Sequence, residues 1–120
     1  MYSYILFTNI VYLMEITIGH SPDADDAFMF YGIVANKLKS SNFRIRHVIE
    51  DIESLNKRAL KHELDVTAIS AHAYAYLSDY VILRSGGSFG LKYGPIVISK
   101  ENMSLSQLKR STIATPGKMT

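Results

Sequence analysis

The chain of 120 residues contains no cysteine. That excludes disulfides, thiolate metal sites and cysteine nucleophiles, and it leaves the redox compartment open. A cytoplasmic location is expected; the missing cysteine does not establish it. Charge of one sign is also scarce: 13 Lys and Arg face 11 Asp and Glu, for a net charge of +2. The bases are spread along the chain, so nothing argues for nucleic acid. Charged residues make up 20% and hydrophobic ones 48%, a balance that speaks against disorder and for one packed domain. There is no internal repeat and no low-complexity tract. The apolar start, MYSYILFTNIVYL over residues 1–13, lacks the basic region and cleavage site of a secretory signal. It is also too short to span a bilayer, so no membrane role is expected. MEITIGHSP, from Met14, reads as a natural chain start. Residues 1–13 are therefore expected to be an N-terminal extension, with an ordinary edge strand as the rival reading.

Strand and helix patterns alternate through the rest. Glu15–His20 is a β-branched run that predicts a strand. Asp23–Lys39 carries Ala24, Ala27, Phe28, Tyr31, Val34, Ala35 and Leu38 at helical spacing. Phe43–Ile49 alternates apolar and basic residues, which predicts a strand and suits an outer one. Asp51 opens a second helix, with Ile52, Leu55, Ala59 and Leu60 as its stripe and bases at its end. Leu64–Ser70 predicts a third strand and Ala71–Leu77 a short helix. Further strands are expected at Tyr80–Arg84, Gly94–Ser99 and Ser111–Thr115, with a helical turn over Glu101–Lys109. This order implies an α/β fold with a mainly parallel sheet and helices on both faces. Such sheets bind ligands beyond the carboxyl ends of their strands. The segments to read for chemistry are therefore 20–26, 70–74, 85–90 and 115–120.

The first of these, GHSPDADDAF, holds three carboxylates in four residues. Asp23 followed by Asp26 fits helix capping, and Pro22 suits helix entry. A calcium loop would need a central glycine and a distal glutamate, and zinc would need a second histidine or a cysteine nearby. No metal site is expected. Three acids also disfavour a phosphate at this helix start. The loop Ser85–Gly90, SGGSFG, lacks the spacing of a phosphate-binding loop. Its backbone could approach a ligand, or it could simply need positive φ. Ser70 is a natural N-cap whose hydroxyl could also meet a ligand. His72 beside it suggests a nucleophile and base, but no G-x-S-x-G elbow surrounds Ser70, so hydrolysis is disfavoured.

Six motifs fall in one order: Ser21-Pro22 with Asp25-Asp26-Ala27-Phe28; Glu50-Asp51-Ile52-Glu53-Ser54-Leu55-Asn56; Ser70 with Tyr74; Leu83-Arg84-Ser85-Gly86-Gly87; Gly94-Pro95-Ile96-Val97; and Pro116-Gly117. From about Met14 to Thr120 this series resembles the 1,4-dihydroxy-6-naphthoate synthases of the futalosine route to menaquinone. The resemblance implies a type II periplasmic-binding-protein-like fold, with two α/β lobes closing on a ligand. It implies breakdown of cyclic dehypoxanthinyl futalosine, with a histidine as proton acceptor and no cofactor. Carried over residue by residue, it puts substrate contacts at Ala68, Ile69, Ser70 and Thr120. Ser21, Ser85 and Gly86 join them from their places after strands. The family's catalytic histidine has no counterpart among His20, His47, His62 and His72, so no catalytic residue is expected here. GHSPDADD also departs from the SPCPND form associated with this family, which puts the exact substrate in doubt. Residues 14–120 are expected to form one incomplete first lobe, inactive alone and prone to self-association through its unfinished sheet. A solute-binding module without chemistry and an inactive remnant are the rival readings.

Overall fold

The computed structural model describes residues 13–92 and 94–120. The expectation for residues 1–13 lies, Leu13 apart, outside the described residues. Three strands form one sheet: β1 Met14–His20, β2 Phe43–Ile49 and β3 Val66–Thr67, in the order β2-β1-β3. Both pairings are parallel, with Ile18 opposite His47 on one side and Val66 on the other. Helix α1, Ala24–Val34, connects β1 to β2, and α2, Ile52–Ala59, connects β2 to β3. Two shorter helices follow, α3 at Ala71–Tyr74 and α4 at Leu105–Leu108.

Alternation along β1 sends its side chains to opposite faces. His20 stacks on Phe30 of α1, with ring centroids 4.8 Å apart. Gly19 faces the other way, where a Cβ would stand 2.8 Å from Leu55 of α2. The helices therefore cover both faces of an α/β sheet, as the alternating pattern predicts. The core is small: Ile18, Leu55, Ala59, Leu64 and Ala73 are its buried apolar residues. The edge position expected for β2 is the observed one. Its apolar residues Phe43 and Ile45 turn inward while Arg44 and Arg46 stay exposed.

The expected helix over 23–39 stops at Val34. Asn36 takes a left-handed φ of 54°, which ends the helix, and the N–H groups of Lys37 and Leu38 turn back to the Gly32 carbonyl. The predicted third strand shrinks to Val66–Thr67. The strands expected at Tyr80–Arg84, Gly94–Ser99 and Ser111–Thr115 do not form among the described residues. Those segments take no regular secondary structure, and Val81, Ile82, Ile96 and Ile98 are more than two-thirds exposed. β-branched sequence favours a strand only where a neighbouring strand and a packing face are present. No described residue supplies either to these runs.

Candidate functional site

The three main loops leave the sheet at one end. β1 ends at His20, β2 at Ile49 and β3 at Thr67, and helices α1, α2 and α3 begin a few residues later. β1 connects to β2 on one side, and the chain then crosses back to β3 on the other. This reversal puts a topological switch point beside the carboxyl end of β1. All three helix starts are held by serine or aspartate. Asp51 accepts from the Ser54 N–H at 3.0 Å and Ser70 from the Ala73 N–H at 3.1 Å, each a side-chain N-cap.

The first helix start is built differently from the sequence expectation. Asp23 occupies the N-cap position but makes no capping bond. Its carboxylate accepts from the Ser21 hydroxyl at 3.1 Å. Asp26 is buried and reaches back to accept from the Ser21 N–H at 2.6 Å. Ser21 is itself buried, and its Oγ also accepts from the Asp23 N–H. The hydroxyl of Ser21 is thus turned into the helix entry. Asp25 is exposed, and its carboxyl is lowered first by a hydrogen bond from Ser88 and then by the Asp26 N–H. The 85–90 loop passes beside α1. Gly86 in this loop has a φ of +83°, and a Cβ there would lie 3.7 Å from Met29 of α1.

His20 and His47 form a pair across β1 and β2, with Nε2 and Nδ1 3.2 Å apart. The other nitrogen of His20 lies 3.2 Å from the Ser21 carbonyl, which can only accept. In the neutral ring Nδ1 therefore carries the proton, and Nε2 accepts from His47. Burial first, and then the charge of His20, hold the His47 imidazole below its ordinary range. Both rings are occupied structurally, as His72 is by Tyr76 at 3.4 Å.

The end of β3 meets the end of the chain. Ala68 donates to the Gly19 carbonyl at 2.8 Å and so extends the sheet by one bond. Ile69 follows, half-buried, and then Ser70. The Ser70 hydroxyl accepts from Ala73 N–H and from Asn56 Nδ2, and donates to the Met119 carbonyl. Asn56 also accepts from the Ser70 N–H at 3.1 Å and donates to the Met119 carbonyl at 3.0 Å. One turn earlier on α2, Glu53 accepts from the Met119 N–H at 2.9 Å and from the Thr120 hydroxyl at 3.4 Å. The Met119 amide is the main reason the Glu53 carboxyl is lowered, and Lys57 at 3.2 Å adds to it. Gly117 is needed for this approach, because any Cβ there would collide with Glu53.

Of the seven residues expected to contact a ligand, Ala68, Ile69, Ser70 and Thr120 are thus gathered around α2 and the end of β3. Ser21 stands at the neighbouring strand end, and Ser85 and Gly86 lie in the loop beside α1. Glu53 and Asn56, which do the gathering, had no site role in the sequence reading. The signal for Asn56 was present: a carboxamide one turn after Ile52, within the apolar stripe of a helix. A groove of about 340 Å³ is lined by Val97, Ser99, Glu101–Met103 and Leu108, none of them a residue expected to contact a ligand. No group of three potential metal ligands occurs among the described residues. No described helix is long and apolar enough to cross a membrane.

Geometry and topology define one parallel α/β lobe, with its loops gathered at the carboxyl edge of its sheet. A family model described as menaquinone biosynthesis matches residues 16–120, and the chain belongs to that family. The 1,4-dihydroxy-6-naphthoate synthase of Thermus thermophilus is 39% identical over 104 residues, which cover 86% of this chain and 37% of the relative. The synthase of the same name from Streptomyces coelicolor is 30% identical over 100 residues, covering 82% of this chain and 34% of the relative. A crystal structure of an Archaeoglobus fulgidus protein superposes with a TM-score of 0.65 at 54% identity, over 76% of this chain and 34% of that one. The chain spans about a third of the length of the curated relatives it matches.

Proposed function

We propose that this chain is the first-lobe portion of a 1,4-dihydroxy-6-naphthoate synthase acting on cyclic dehypoxanthinyl futalosine. In this reading the lobe belongs to a type II periplasmic-binding-protein-like enzyme, a lyase of the cytoplasm that closes two lobes on its substrate. The observation that carries it is the meeting of residues 68–70 with Met119–Thr120 at the switch point, in a chain of the menaquinone family. These are the two segments in which the resemblance puts substrate contacts. A polyhydroxylated substrate needs main-chain donors and hydroxyls more than charge. A cluster of acids at the start of α1 disfavours an anionic group at that point.

Proton abstraction needs a base that is free and near neutral pKa. His20 and His47 are tied to each other, and His72 lies against Tyr76. The chain is therefore expected to hold substrate weakly and to turn none over. Its exposed apolar runs favour self-association. Chromatography after incubation with the substrate tests this: no naphthoate from the chain alone, and product from a chimera in which residues 16–120 replace the matching third of the Thermus synthase. A folded but inactive chimera, or turnover by the chain alone, would overturn the proposal.

A further inference from the structure

We infer that Asn56 is a positioning residue for the candidate site: its carboxamide fastens the 68–70 turn to the 116–120 segment and sets their spacing. The inference rests on the functional reading above for its purpose, and on geometry for its substance. Asn56 is fully buried in the middle of α2. Asparagine is a poor helix former and an expensive residue to bury, so its polar atoms must be satisfied there. They are. Nδ2 donates to Ser70 Oγ at 3.2 Å and to the Met119 carbonyl at 3.0 Å, and Oδ1 accepts from the Ser70 N–H at 3.1 Å. The Ser70 N–H can only donate and the Met119 carbonyl can only accept, which fixes the orientation of the carboxamide.

The preceding residue in the chain explains why this fastening is rigid. Leu55, also fully buried, packs against Gly19 of β1. The sheet thus sets α2, and α2 sets both segments. Glu53 grips the same residue by its other backbone group, the Met119 N–H. Neither Leu nor Asp reproduces this. Leu offers no polar atom. A carboxylate would face the Met119 carbonyl with no proton between them.

That mismatch gives the test. In Asn56→Asp the carboxylate still accepts from the Ser70 N–H but repels the Met119 carbonyl, so its pKa is raised. Once protonated, it regains one donor and the fastening returns. The other ionisable groups around it are Glu53, paired with Lys57, on α2, His72 on α3 and Lys118 in the terminal segment. The Met119 N–H holds the Glu53 carboxyl below its ordinary value, and Glu53 is equally present in the wild type, which is the control for its titration. Amide hydrogen exchange on the whole chain, expressed as protection factors between pH 4 and 8, is the measurement. In Asn56→Asp at pH 7 the Met119 amide is expected to lose about tenfold protection, one hydrogen bond's worth. Ser70 keeps its protection, and that of Met119 recovers on acidification; the wild type shows no such recovery. Gly117→Ala pushes the same segment off Glu53 and releases it while Asn56 is intact, at every pH. Unchanged protection of Met119 in Asn56→Asp, or a loss that no acidification restores, overturns the inference. So does equal loss over β1 and β2, which would mark Asn56 as a general stabiliser. These exchange measurements use no ligand, so they stand or fall separately from the substrate assignment.

Discussion

Gly19 sits where the central strand and α2 come closest, and filling that space is a sharp perturbation. A Cβ there would stand 2.8 Å from Leu55 Cδ2, 2.8 Å from Leu64 Cδ1 and 2.9 Å from Thr67 Oγ1. Carbon atoms in contact prefer about 3.5–4.0 Å, so each neighbour must yield by roughly 0.7 Å or more. Leu55 is completely buried and Leu64 nearly so, which leaves them nowhere to go. Overpacking of this kind costs about 1–3 kcal/mol. Leu55→Ala, which deletes one of the clashing groups, costs about 2–5 kcal/mol alone. In the double variant the new methyl occupies part of the space Leu55 left, so the two costs do not add. The expected coupling is favourable and on the order of 1 kcal/mol. Urea unfolding followed by circular dichroism measures all four proteins, and an unchanged slope shows that midpoints report stability. A Gly19→Ala midpoint equal to wild type, or additive costs in the double variant, would refute the packing of α2 on β1.

Asp26→Asn keeps an acceptor for the Ser21 N–H but removes its charge, and should lower stability by about 1 kcal/mol; Asp26→Ala orphans that buried donor and should lose about 1–3 kcal/mol, both read as urea midpoints. The pH dependence has two windows. His47 is held below its ordinary value, so the unfolded chain takes up a proton there first; stability should fall as pH drops through about 6.5 and level off below the folded-state value. Asp25, Asp51 and Glu53 are also lowered, and their stabilisation is present above the ordinary carboxylate range and lost as pH falls below it. In His47→Asn the upper slope should vanish while the lower one persists. A wild-type midpoint that rises between pH 7 and 5.5 would contradict the assignment.

The elements that carry their own signal were legible. β1, β2 and α2 follow from β-branched alternation, a stripe and an N-cap aspartate, and the structure has them within a residue or two of the reading. α1 was read too long because Leu38 continues its periodicity. Asn36, a residue that tolerates left-handed φ, was the stop signal. The later apolar runs look like strands locally, yet pairing is a property of neighbours and cannot be read from one segment. At the site, Ser70 was legible as a helix cap, while Ser21 was read as a ligand contact. What they bond to was not legible. That Ser21 is locked by Asp23 and Asp26, and Ser70 by Asn56 and Met119, depends on contacts 2 to 49 positions apart.

The central claim is that the carboxyl edge of β1 and β3, together with residues 116–120, forms half of a ligand site. A titration of isotopically labelled chain with cyclic dehypoxanthinyl futalosine, followed by amide NMR shifts, tests it most directly. Saturable shifts are predicted at Ser21, Ile69 to His72, Gly86 and Met119–Thr120, with Met14–Ile16 and Phe43–Ile45 at the opposite edge unmoved. Saturable shifts confined to that opposite edge or to the 97–103 groove, or none at any substrate concentration, would contradict it.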